Sequence, residues 1–177
     1  MKVLTGVLTT VLSLGAASAL AQGAGPTDAQ IAAIVVTANQ VDIDAGKLAQ
    51  SKAHSKEARA FAQRMITDHT GVNKSATELV QKLHVTPESN PTSESLEQGG
   101  EKNLATLRGL TGAAFDKAYI DHEVVYHQAV LEAVDKTLIP SAQNAELKAL
   151  LVKVRPAFVA HLEHAKQLQS TLGSSGT

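Results

Sequence analysis

Apolar residues recur along this chain at alternating steps of three and four in four long stretches, the period of helices that each bury one stripe. The clearest is Phe115 to Leu138, where Ile120, Val124, His127, Leu131, Val134 and Leu138 share a face. Helix one is expected from Thr27 or Asp28, either able to cap it after Pro26, to about Ala53, with Ile31, Val35, Ala38, Asp42, Ala45 and Ala49 inward. Helix two starts at a Ser55 cap and stops at Thr86-Pro87, with Ala58, Phe61, Met65, His69, Val72, Ala76, Leu79 and Leu83 on its stripe. Helix three runs from near Ala113 to before Pro140. Helix four runs from about Ala142 to Leu172, with Leu147, Leu151, Val154, Phe158, His161, Ala165, Leu168 and Leu172 inward and a kink expected at Pro156, one turn before His161.

Helices one and two, and three and four, are joined by turns of a few residues, so each pair forms an antiparallel hairpin. Between them Pro87–Gly100 is polar and rich in Pro, Gly and Ser. It reads as a long connection, followed by a short helix from about Glu101 to Leu110. The expected fold is all-α, a four-helix bundle whose helix 2–3 connection carries a short extra helix.

The first residues do not belong to that pattern. Lys2, the apolar run Val3–Leu14 and the small-x-small Ala19-Leu20-Ala21 form a secretory signal peptide over 1–21, too short and too interrupted for a good membrane span. Residues 22–27 are then a flexible leader, 28–172 the bundle and 173–177 a disordered tail. Cysteine is absent, which removes disulfides, thiolate ligands, a cysteine nucleophile and lipid attachment at the cleavage site. A formal net charge of -1 and 3% aromatic residues argue against a nucleic-acid partner.

Three histidines, His69, His127 and His161, replace an apolar residue in three core stripes, and Asp42 does so in helix one. Glu123 lies four residues before His127 and His164 three after His161. Imidazole with carboxylate is a ligand set for zinc, iron, copper(II) or manganese, and bundle cores build such sites from facing helices. The candidate metal ligands are therefore His69, His127, His161, Asp42, Glu123 and His164. Tyr119 is expected to donate its hydroxyl to a core carboxylate or histidine. His54, His84 and His122 read as helix-end or flank residues. Matching depths across the turns sets His127 level with Val154 and His161 with Ile120. That is an offset of roughly seven residues, or about 10 Å, which places the histidines at two levels unless helix ends a few residues away from those read here, or the Pro156 kink, close the gap. No Gly-rich phosphate loop, GxSxG elbow or HExxH is present, and no catalytic set is indicated.

Several segments together are similar to one bacterial family, the domain-of-unknown-function 4142 proteins. FAQRMITDHT at Phe61–Thr70 resembles their FAxxMVxDHT. Phe115-Asp116-Lys117-Ala118-Tyr119-Ile120 with His127 resembles FDxAYIxxxVxxH. Arg155-Pro156 with His161-Leu162 resembles their late PxxxxHL, and Asp42–Ala49 a helix-one segment that often has Glu where Asp42 stands. The resemblance covers nearly all of the chain after residue 21. It implies a secreted, ferritin-like four-helix bundle of the periplasm or outer membrane, with peripheral membrane association open, and it implies no activity. The paired Glu-x-x-His motifs of di-iron ferritin-like proteins are missing: Val124 precedes His127, and Phe158 precedes His161, at the required spacing. Three readings follow: a transition-metal-binding bundle for envelope metal handling or stress protection, a non-enzymatic scaffold whose histidines are core hydrogen-bond partners and whose protein partner is unknown, and a di-metal redox enzyme, which would need more inward glutamates.

Overall fold

The computed structural model describes residues 25–174, so the signal peptide, the start of the leader and the end of the tail expected from the sequence lie outside the described residues. Five long helices and no strand are found among them: α1 (Asp28–Lys52), α2 (Lys56–Lys82), α3 (Pro91–Arg108), α4 (Gly112–Ala133) and α5 (Ala145–Ser174). None is long and apolar enough to cross a membrane.

The starts of α1 and α2 are written in capping chemistry. Thr27 accepts from the Gln30 N–H while the Gln30 side chain accepts from the Thr27 N–H, a reciprocal box, and Ser55 accepts from the Ala58 N–H. The pairs α1–α2 and α4–α5 pack as hairpins. They meet chiefly through α2 on α5, and more lightly through α1 on α4. The core between them is formed by Ile31, Phe61, Met65, Phe115, Tyr119, Ile120, Leu151 and Ala165, all essentially inaccessible.

Two buried or turn-forming carboxylates tie the hairpins to each other. Asp116, at the start of α4, accepts from the backbone N–H of His54 and Ser55, at 2.8 and 2.7 Å, and so holds the α1–α2 turn. Asp28, at the start of α1, accepts from the N–H of Gln143 and Asn144, both at 2.9 Å, and holds the α4–α5 turn. Each end of the bundle is closed by one of these clasps.

The structure corrects the connection. Pro87–Gly100 is not an extended crossing, and the helix does not begin at Glu101: α3 is one helix from Pro91 to Arg108. Asn90 caps it, accepting from Thr92 and Ser93, and Pro91 sits at N1, where its missing N–H is harmless. Gly100 in this helix lets it lie close on α1, since a Cβ there would come within 2.8 Å of Val41. Helix three does not end before Pro140 either. α4 passes into a π turn, Val134–Leu138, and a last helical turn, Ile139–Ser141. Proline clashes with the carbonyl four residues back, and a turn widened to i→i−5 bonding moves that carbonyl aside. Pro156 lies within continuous helix.

α2 stops at Lys82, short of Thr86-Pro87, because His84 turns into the left-handed region at φ 53°. Its N–H and that of Val85 bond back to Gln81 and Val80, the arrangement usually completed by glycine. His84→Gly is expected to raise stability by roughly 0.5–1 kcal/mol, read as a higher urea midpoint at unchanged slope.

Candidate metal centre

Four helices deliver one buried polar cluster to the middle of the bundle. α1 brings Asn39 and Asp42, α2 brings His69, α4 brings Glu123 and His127, and α5 brings His161. All six are between 0 and 3% exposed. α3 contributes nothing to it.

The three imidazole rings converge, with centroids 5.6 Å (His69–His127), 5.2 Å (His69–His161) and 5.4 Å (His127–His161) apart. Each offers a nitrogen within 4.8 Å of the others'. The two-level arrangement expected from the turns does not occur. The α4–α5 turn is centred near Gln143, not before Pro140, because the π turn and the turn after it prolong α4. That shift sets His127 about two residues from the level of His161, roughly 3 Å at 1.5 Å per residue.

Each ring has one nitrogen fixed by a group other than a second histidine. His69 Nδ1 is 2.7 Å from Asn39 Oδ1, and Asn39 is itself anchored by donating to the Val35 carbonyl at 2.8 Å. His127 Nδ1 donates to the Glu123 carbonyl at 3.0 Å. His161 Nε2 is 2.8 Å from Asp68 Oδ2, and Asp68 is paired with Arg64 at the half-exposed rim. The remaining nitrogens, His69 Nε2, His127 Nε2 and His161 Nδ1, are buried without a hydrogen-bond partner. Outer hydrogen bonds that set the tautomer and leave the second nitrogen free are the usual support of a metal-binding imidazole.

The carboxylates lie beside this triad. Asp42 Oδ2 is 3.2 Å from His69 Nε2 and 3.9 Å from His127 Nε2, without hydrogen-bond alignment. Glu123 Oε2 is 3.4 Å from His127 Nδ1. Asp42, Glu123 and His127 form a second group whose ligand atoms also lie within 4.8 Å of one another. No N–H or hydroxyl donor reaches the Glu123 oxygens, whose one hydrogen-bonding neighbour is the Asp42 carboxyl, and the Tyr119 hydroxyl has no partner. The expected donation from Tyr119 is thus not made; the hydroxyl of Tyr126 instead donates to the Ala38 carbonyl at 3.0 Å.

Burial sets the protonation states. It depresses His69, His127 and His161 to about 4 each, with Asp68 opposing the shift for His69, Asp42 for His127 and the Asp68 hydrogen bond for His161. All three rings are neutral at pH 7 and ready to donate a lone pair. Burial, reinforced by the neighbouring Asp42 carboxylate, pushes Glu123 well above the usual range, and burial raises Asp42 as well, against the pull of His127. The Glu123 carboxyl thus favours its protonated form, and a divalent ion bound beside it would displace that proton.

The donor set fits such an ion. For nitrogens within 4.8 Å of one another, closing on a tetrahedral centre with bonds of about 2.0–2.1 Å needs inward movements of under about 1 Å. The sequence does not mark Asn39 as part of this set, although it lies four residues after Val35 and three before Asp42 on the same face. His164 stands apart: its half-buried ring packs edge-on against Phe61 with centroids 5.3 Å apart, and it is in neither group.

Comparison with known proteins bears on the fold. The family model described as "Domain of unknown function (DUF4142)" matches residues 13–168. No curated protein matches the chain. Among solved structures, "CopM in the Cu(II)-bound form" is similar at a TM-score of 0.64 and 17% identity, over 83% of this chain and 98% of that one. At that identity the likeness is one of fold.

Proposed function

This chain belongs to the DUF4142 family, and with that as premise we propose that it binds a transition metal in the middle of its bundle. His69, His127 and His161 are the nitrogen ligands, and Asp42 or Glu123 supplies a carboxylate. The observation that carries the reading is the convergence of three imidazole nitrogens without a protein partner on a buried Asp42–Glu123 carboxyl pair. A purely structural cluster would satisfy those atoms, since each unpaired buried polar group costs about 1–3 kcal/mol.

Imidazole and carboxylate without thiolate suit copper(II) and zinc ahead of softer-site ions. The related fold was solved with Cu(II), which makes copper the first ion to test. The physiological role we propose is metal handling or stress protection in the cell envelope, reached through the N-terminal export signal, with a ferritin-like bundle as the carrier. Glu123 is the one glutamate in the cluster. A dinuclear redox centre is therefore less well supported than a single ion.

The test is elemental analysis of untagged protein, with copper, zinc, iron and manganese added back to chelator-treated samples. About one ion per chain is expected, together with a rise in stability of about 2.7 kcal/mol at a free ion concentration one hundred times Kd. Protein that folds normally, carries no metal and ignores all four ions would leave the histidines as core hydrogen-bond partners.

A further inference from the structure

None of the six polar residues of the cluster is more than 3% exposed, so an ion has to be let in. Two openings lead toward them. One is an almost wholly apolar cavity of about 150 Å³, with Thr92 and Ala129 on its exposed side and Asn39, Asp42 and His69 also in its lining. A cation crossing it would shed water against apolar walls, which is costly. The other is a groove between α2 and α5, lined by Asp68, Ser75, Lys153 and His161 among others.

The groove differs from the cavity in offering a charge at the surface. The Asp68 side chain is 37% exposed, and its Oδ2 lies 2.8 Å from His161 Nε2. The same oxygen is 3.3 Å from Arg64 Nε. One carboxylate oxygen is thus shared between a buried ring of the cluster and a cation at the rim. The other two rings have no such link to solvent. His69 is held by the buried Asn39, and His127 by the carbonyl of the inaccessible Glu123. Setting a tautomer does not require a carboxylate, since a carbonyl does it for His127. Asp68 is also the one anionic side chain lining the groove, and without it only Lys153 and Arg64 would bring charge to an arriving ion.

We infer that Asp68 is the entry point of the metal centre and that Arg64 gates it. This rests on the metal reading and adds a route to it. An incoming divalent cation displaces Arg64 from the carboxylate and gives up part of its water there. It passes inward as His161 lets go of Asp68 and its ring swings aside.

Rates separate this route from a purely structural role. Copper(II) is mixed by stopped flow with the chelator-treated full chain and followed by quenching of its two tyrosines, Tyr119 and Tyr126. Kd is measured separately at equilibrium. Changing a charge on the approach alters the association rate, whereas loosening a ligand alters dissociation. Asp68→Asn keeps an acceptor for His161 and should lower the association rate about tenfold, and Arg64→Gln should raise it about threefold or more. Both side chains are at the rim, so both variants are expected to fold. An Asp68→Asn chain that associates as fast as the unaltered one and only dissociates faster would reduce Asp68 to a positioning residue for His161 and overturn the proposal. An association rate unchanged or lowered in Arg64→Gln would overturn it too. In either case copper(II) uptake at equilibrium leaves the metal reading standing. No uptake by the unaltered chain sinks that reading for this ion, and the route with it.

Discussion

His127→Ala is expected to abolish stoichiometric metal uptake while leaving the bundle folded. His127 is the residue shared by both ligand groups, the triad with His69 and His161 and the carboxylate set with Asp42 and Glu123. Removing a second-sphere partner of a metal ligand typically weakens binding about 10–100-fold, and removing a ligand common to both groups should do more. In metal-free protein the ring's Nε2 has no partner to lose. The structural cost is therefore the lost packing and the Glu123 carbonyl bond, about 2–4 kcal/mol for a large-to-small change in the core. Two companions separate ligand loss from general damage. His164→Ala, from outside the cluster, should bind as before. Asn39→Ala frees His69 to reorient and should weaken binding within the second-sphere range. Equal metal content in His127→Ala and the unaltered protein, by elemental analysis after dialysis, would end the single-site reading.

The second large effect concerns pH. The three histidines have folded values of about 4 against 6.5 when exposed, so between those limits the unfolded chain holds more protons. Their contribution to stability is lost as pH falls from about 6.5 to about 4 and is regained as it rises. Glu123 and Asp42 act in the opposite sense. Their folded values lie above the usual range, so the folded state holds more protons and stability falls as pH climbs from the unfolded value toward the folded one. Three histidines outweigh two carboxyl groups in the acidic window. Above about 6.5 only the carboxyl term remains. Metal-free protein should thus gain stability up to about pH 6.5, where the histidine contribution is complete, and decline above it for as long as Glu123 keeps its proton. Glu123→Gln keeps the shape, cannot ionise, and should remove most of that decline while weakening metal binding. Urea unfolding in chelator at pH 6.5 and 8 reads it out. A flat profile for the unaltered protein would mean that Glu123 is already ionised when metal-free, and that the carboxyl pair is solvated or neutralised in some other way.

The faces of the helices were legible because a period of 3.6 is a local property: Phe61, Met65 and His69, or Phe158 and His161, fall on one stripe whatever the partner helix does. Axial level is not local. It depends on where each hairpin turns, and a π turn near Pro140 moved the second turn by a few residues, enough to merge two expected levels into one. α3 was misread for a related reason. Its Pro, Ser and Gly content resembles a loop, yet Ser89-Asn90-Pro91 also spells an N-cap followed by N1 proline, and the tertiary contact of Gly100 with Val41 decides between them. Asn39 was overlooked because an amide inside a stripe is easily passed over as tolerated polarity, and its role shows only once His69 is beside it. The Tyr119 hydroxyl was expected to find an acceptor on general grounds, but no core carboxyl or histidine comes within hydrogen-bond reach of it.

The carboxylate clasps give the two ends of the bundle unequal histories. The turn at His54 and Ser55 is closed by Asp116, which follows 62 and 61 residues later, so the first hairpin leaves synthesis with its turn amides unmet. The turn at Gln143 and Asn144 is closed by Asp28, made 115 and 116 residues earlier and already waiting. Each hairpin's turn therefore gains its carboxylate only when the other hairpin docks, so both ends are completed by the same association.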